Sequence, residues 1–196
     1  MALAILATGT CATAGETQSV SGRPAYTAAD VHFMAGMIAH HAQAVLIAGW
    51  APTHGAGPAL RALCERIVVG QRDEIAAMQR WLRERREPVP DADARGHTMP
   101  GMDHSMLMPG MLSDAQLAQL DSARGPDFDG LFLTDMIQHH RGALTMVRAL
   151  VDTPRAARDG QLFQVASDIS ADQTAEIDRM TRMLDALSHT SPRSPQ

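Results

Sequence analysis

Apolar residues recur every three to four positions over four long stretches of the chain, and the ends of those stretches carry helix-terminating chemistry. The first follows Thr27-Ala-Ala-Asp30, a capping-box-like start, and runs to about Trp50, before Pro52. The second begins near Pro58, a favoured first-turn proline, and runs to about Glu87, before Pro88. The third follows Gly125-Pro126-Asp127 and runs to about Val151. The fourth is expected from Thr153-Pro154 to about Ser188, with Gly160 a weak point near its start. A short helix from Ser113-Asp-Ala-Gln116 leads into the third.

The two halves repeat. Phe33-Met-Ala-Gly-Met-Ile-Ala-His-His41 matches Phe132-Leu-Thr-Asp-Met-Ile-Gln-His-His140, and Gln71-Arg-Asp-Glu-Ile-Ala-Ala-Met78 matches Gln173-Thr-Ala-Glu-Ile-Asp-Arg-Met180. One hairpin cannot bury both of its apolar faces, so the pattern predicts an all-α, four-helix bundle with pseudo-two-fold symmetry. The expected organisation is a signal-like or disordered segment over 1–25, a single bundle domain over 26–188 and a disordered tail over 189–196. Within the domain, 26–87 is the first hairpin, 88–125 a linker with the short helix, and 126–188 the second hairpin.

The helical wheel places chemistry inside this bundle. His41 falls on a stripe with Met34, Met37 and Ile38, and His140 on a stripe with Leu133, Met136 and Ile137. Glu74 and Gln71 fall on the inner stripe of the second helix, as Glu176 and Gln173 do on the fourth. His40 and His139 lie about 100° off the stripe, as second ligands or as surface residues. A buried carboxylate is costly unless paired. Two inward Glu-His combinations therefore call for a bound cation or for a metal-free hydrogen-bonded pair. Most of the methionines at helical spacing suit core filling, with Met37 and Met136, one turn before the histidines, as exceptions. His32 and His54 sit near helix ends and are expected to be solvated, while Asp30 and Asp129 are expected to cap helices.

The linker has no helical period in which to bury its side chains. It reads His97-Thr-Met99-Pro-Gly-Met102-Asp-His104-Ser-Met106-Leu-Met108-Pro-Gly-Met111. Thioether and imidazole donors together favour copper, Cu(I) especially. The His/Glu positions also accept zinc. A di-iron carboxylate site is disfavoured, because no Glu-x-x-His occurs and each half has one central Glu.

Composition narrows the classes. The 196 residues include 13 Met and 9 His with only 4% aromatics, which suits helices more than sheet. The net charge of -5, with scattered basic residues, argues against a nucleic-acid partner. Two cysteines make neither a disulfide framework nor a zinc motif. Residues 1–14 resemble the end of a secretory signal without its basic start, and Thr8-Gly-Thr-Cys11 is a weak lipoprotein box with Cys11 as the lipidated residue. No stretch is expected to reach the ~20 apolar residues of a membrane span.

With the doubled Met-Ile-x-His-His motif, the Gln-x-x-Glu-Ile-x-x-Met pair and Met108-Pro-Gly-Met111 in this order, the chain resembles the family known as domain of unknown function 305 over about residues 27–188. That family includes the CopM-type copper-binding proteins. The resemblance implies a ferritin-like bundle, a periplasmic or cell-surface location and copper binding or tolerance, without a known enzymatic activity. On this reading the metal donors are His40, His41, His139, His140, Met37, Met136, Glu74 and Glu176 in the bundle. Weaker exchangeable donors are Met99, Met102, His104, Met106 and Met108 in the linker. The expected role is a copper buffer or metallochaperone with a copper-transfer partner protein. The alternatives are a metal-dependent redox enzyme, such as a cuprous oxidase, and a metal-free structural bundle.

Overall fold

The computed structural model describes residues 26–92 and 107–190. Five helices account for its regular structure: α1 (Ala28–Ala48), α2 (Pro58–Glu84), α3 (Asp114–Ser122), α4 (Gly125–Asp152) and α5 (Gly160–Thr190). No strand occurs among the described residues. The chain is an all-α, ferritin-like four-helix bundle in which α1 packs on α2, α4 on α5, and the two hairpins meet through α1–α4 and α2–α5. The short α3 lies against α4.

Local chemistry explains most helix ends. Thr27 and Asp30 form a reciprocal capping box on α1, and Ser113 and Gln116 form another on α3. Helix α2 stops at Glu84, slightly before the expected Glu87. Arg86 takes a left-handed φ of 60° and the Glu87 N–H returns to the Leu82 carbonyl at 3.0 Å, a Schellman-type closure. The start of α5 differs from the expectation. The Thr153 hydroxyl donates back to the Ala149 carbonyl at 2.7 Å, closing α4. Asp159, six residues on, accepts the N–H groups of Gln161 and Leu162 at 3.1 Å each and so caps α5 at Gly160. At its other end α5 continues through Thr190, so His189 is helical rather than part of a tail.

Two carboxylates tie the hairpins together at opposite ends. Asp30 near the start of α1 accepts the Ala157 N–H at 2.8 Å, just beyond the end of α4. Asp129 near the start of α4 accepts the N–H of Gly57, the N-cap of α2, at 3.1 and 3.2 Å. The start of α1 therefore lies by the end of α4, which fits a pseudo-two-fold axis running across the helices. A third tie is ionic. Arg85 at the end of α2 pairs with buried Asp159, to which the Trp81 indole also donates at 3.1 Å.

By length and composition α1 is apolar enough to cross a membrane, contrary to the expectation that no segment would be. Its most apolar window is 72% buried inside the bundle, as befits a helix packed on two sides by α2 and α4. His54 is a second departure: it is buried, stacked on Trp50 at 5.6 Å between ring centroids, with a ring nitrogen 3.0 Å from the Asp121 carbonyl.

The core is split in two. One apolar cluster contains Ala44–Ala48 positions of α1, Leu60–Ile67 of α2, Phe128–Ile137 of α4 and Met180 of α5. The other contains Phe33–Ile38, Ile75–Leu82, Ala143–Leu150 and Leu162–Ile169 positions of the same four helices. Between them, on every helix, lies a polar layer: His40 and His41, Gln71 and Glu74, His139 and His140, Gln173 and Glu176.

Candidate metal centre

Four histidine rings form the middle of that layer, and all four residues are 0% exposed. The His40 and His139 rings meet across the α1–α4 interface with centroids 3.9 Å apart. His41 and His140 flank them, at 6.4 Å from His40 and 6.2 Å from His139 respectively. His40 and His139 are thus not flank or surface residues, as one sequence reading allowed. The position 100° off the first stripe faces the second neighbour of the helix.

Each outer histidine holds a carboxylate from its own hairpin. His41 Nε2 lies 2.7 Å from Glu74 Oε2, and His140 Nε2 lies 2.6 Å from Glu176 Oε2. A carboxylate accepts the Nε2–H, which leaves the lone pair of each ring on Nδ1. His40 Nε2 likewise donates to the Pro109 carbonyl at 3.0 Å. The Nδ1 atoms of His40, His41 and His140 are all buried and without a hydrogen-bond partner, as are both ring nitrogens of His139. Burial, reinforced by the adjacent His41, pushes the His40 imidazole down to about 3 despite the Pro109 contact. Burial also takes His139 well below the usual imidazole range, with His40, His140 and His41 adding to the effect. Both rings are neutral at physiological pH, so their lone pairs are open to a Lewis acid.

Gln71 is buried with neither amide atom partnered, and Glu74 Oε1 is also an orphan. On α5, Asp172 is pushed above the usual carboxylate range by burial and by the charges of Glu74 and Glu176. Met37 and Met136, one turn before the histidine pairs, are fully buried at the edge of the layer. Among the described residues no three of His, Cys, Asp and Glu converge as a metal-binding group. Cys64 is buried, and burial raises its thiol to about 12, so it is a poor donor.

The end of the linker closes one side of the layer. Residues Met108 to Leu112 lie along the α1–α4 groove, held by the His40–Pro109 bond and by a reciprocal pair: Gln43 Nε2 donates to the Leu112 carbonyl at 3.0 Å and Leu112 N donates to Gln43 Oε1 at 2.8 Å. Gly142 makes this possible, since a Cβ there would sit 1.9 Å from the Pro109 oxygen. Gly110, at φ +79°, also lies against α4, where a Cβ on it would sit 2.7 Å from the Gln138 oxygen. Sequence reasoning missed Gln43, Gly36 and Gly142. The signal available was the two mid-helix glycines, which cost a helix about 1 kcal/mol each relative to alanine and so call for a packing reason. Met99, Met102, His104 and Met106 lie outside the described residues, as do Cys11 and the signal-like segment.

The fold and layer define a class: a duplicated helical bundle with a buried, largely unsatisfied histidine core. The family model for domain of unknown function 305 matches residues 30–184, and the chain belongs to that family. Among solved structures, a Deinococcus radiodurans fragment of the family has 28% identity and a TM-score of 0.70, with 83% of this chain and 99% of that one covered. A presumptive secreted family protein from Streptomyces coelicolor has 25% identity and a TM-score of 0.69, covering 85% and 98%. CopM in its Cu(II)-bound form has 27% identity and a TM-score of 0.63, covering 80% and 96%. CopM structures with Cu(I) and with silver align similarly. Comparison with curated protein sequences gives no significant match.

Proposed function

We propose that this is an extracytoplasmic copper-binding protein, a buffer or metallochaperone in copper tolerance. One observation carries the reading: three buried histidines donate one ring N–H to an oxygen acceptor and keep the other nitrogen unpartnered. A metal-ligating histidine has this form, because the acceptor fixes the tautomer and raises the basicity of the free nitrogen. Leaving such atoms buried and empty costs stability, and a bound ion satisfies them.

On this reading His40, His41, His139 and His140 supply nitrogen, with Met37 and Met136 as adjacent sulfur donors. Glu74 and Glu176 orient their histidines. Met99, Met102, His104, Met106 and Met108 extend the soft donor set along the linker, where ligands exchange one at a time. Scarce hard ligands and abundant thioethers favour Cu(I) over zinc. The CopM relatives, which hold copper and silver, support copper, and the presumptive secretion of the Streptomyces relative supports an extracytoplasmic site.

The competing reading is a metal-free bundle, in which the His–Glu pairs serve packing alone. Anaerobic Cu(I) titration against a competing chelator separates the two. Copper binding predicts competition by the wild type, weakened by His41→Ala with His140→Ala, and a raised melting temperature on loading. An affinity no greater than that of a loop peptide without Met or His, with no melting shift, would falsify it.

A further inference from the structure

Two methionine side chains, Met108 and Met146, reach over Gly36 on the turn before His40. A Cβ on Gly36 would lie 3.3 Å from Met108 Sδ and 3.5 Å from Met146 Cε. The space they share exists because residue 36 has no side chain. Met108 and Met146 are half-buried, whereas Met34, Met37 and Met136 are 0% exposed. The pair therefore stands at the boundary between solvent and core. It borders the docked linker end, beside the exposed Leu107.

We propose that Met108 and Met146 form an entry site that captures a soft monovalent ion, Cu(I) or its analogue Ag(I), and passes it to the His40–His139 pair. The proposal rests on the copper-binding reading above and adds Met146 as a donor. Three features support it. Gly36 precedes His40 by one turn of α1, about 6 Å along the axis. Met146 follows His139 by two turns of α4, and long helical side chains lean toward the helix N-terminus, here toward His139. The His40 Nδ1 and both ring nitrogens of His139 are buried and unpartnered, and so open to receive an ion.

The transfer is a ligand exchange. A sulfur–metal bond breaks as a nitrogen–metal bond forms, the ion keeps its charge, and no electron moves. Thioethers have no proton to lose, and the Nδ1 of His40 already carries its lone pair, so no proton need leave either. Sulfur is the chemically specific element, since leucine fills nearly the same volume in a core.

The test uses the full chain labelled at the methionine ε-methyl carbons and titrated with Ag(I). The Met108 and Met146 methyl signals are expected to shift with the first additions. A Met108→Leu, Met146→Leu variant is expected to keep its helix content and melting temperature, yet to take Ag(I) from a competing ligand at least about tenfold more slowly. Met146→Leu alone, which leaves the linker untouched, is expected to slow uptake in the same direction. Unmoved methyl signals, or wild-type uptake rates in the variants, overturn the entry site while leaving copper binding intact. A wild type that takes up no Ag(I) and no Cu(I) overturns both.

Discussion

His40 and His139 occupy equivalent positions in the two repeats, and their rings meet 3.9 Å apart at the centre of the bundle. The pseudo-two-fold axis thus passes between two neutral imidazoles. With the His40 imidazole held down to about 3, against a usual value of 6.5, the unfolded chain binds more protons than the folded one between those pH values. Stability therefore falls as pH drops below about 6.5, by about 1.4 kcal/mol per pH unit for each such histidine. His139 acts in the same direction. Urea unfolding at pH 7.5, 6.5 and 5.5 should show this slope, and His139→Leu should make it shallower. An unchanged slope in that variant would place the acid sensitivity elsewhere.

The linker end depends on one missing side chain. In Gly142→Ala the new Cβ would meet the Pro109 oxygen at 1.9 Å, so the segment must leave its groove. The helices should persist, with a loss of about 1–3 kcal/mol from the forced rearrangement. Hydrogen exchange at the Leu112 amide, which Gln43 now protects, should accelerate strongly. Protection equal to wild type would mean that the backbone shifts to accept the methyl group.

Asp159 has a different dependence on pH. Burial raises its carboxyl, but the Arg85 guanidinium, the Leu162 N–H and the Trp81 indole outweigh that and hold it below the usual range. A depressed carboxyl stabilises the fold above its unfolded value, near 4, and that contribution is lost as pH falls through the folded value. Asp159→Asn removes the buried counter-ion of Arg85 and leaves it only the more exposed Glu84 at 3.7 Å, and should cost about 3 kcal/mol at pH 7. The difference from wild type should shrink as pH falls below 4. A constant difference would show that the capping hydrogen bonds, not the charge, carry the effect.

Asp30 and Asp129 bond to the opposite hairpin at opposite ends of the molecule. Each alanine replacement removes an acceptor from a part-buried N–H and should cost about 1–2 kcal/mol. The two sites share no partner, so the double variant should match the sum of the singles within about 0.5 kcal/mol. A larger coupling in denaturant melts would indicate that the hairpins dock as one concerted unit rather than end by end.

The helices were legible because their signals are local. Thr27, Pro58 and Ser113 mark starts through chemistry within a turn, and the repeat is visible in the residues themselves. Asp159 escaped notice because Thr153-Pro154 carries the more familiar start signal, while the Thr153 hydroxyl in fact closes the preceding helix. The wheel directed His41, Glu74, His140 and Glu176 inward, and the structure joins them in pairs. It left His40 and His139 open between ligand and surface positions because a single stripe describes one neighbour, whereas α1 and α4 each have two. His54 depends on Asp121, far away in sequence, and no periodicity reports such a contact. Where the Met108–Leu112 segment lies could not be read either, since it follows from the space left by Gly36 and Gly142 on two different helices.

The division of the apolar interior by the polar layer bears on where this chain came from. Each half of the interior draws on all four helices, so neither hairpin contains a complete half of its own. A chain of half the length, ending before α4, would have no way to cover its inner faces except by pairing with another copy of itself. The tandem arrangement is what a symmetric pair of such hairpins becomes when the two genes fuse. Fusion then frees the two copies to diverge, as Gly36 and its counterpart Asp135 have done, and the Met108–Leu112 segment lies on the Gly36 side of the central layer.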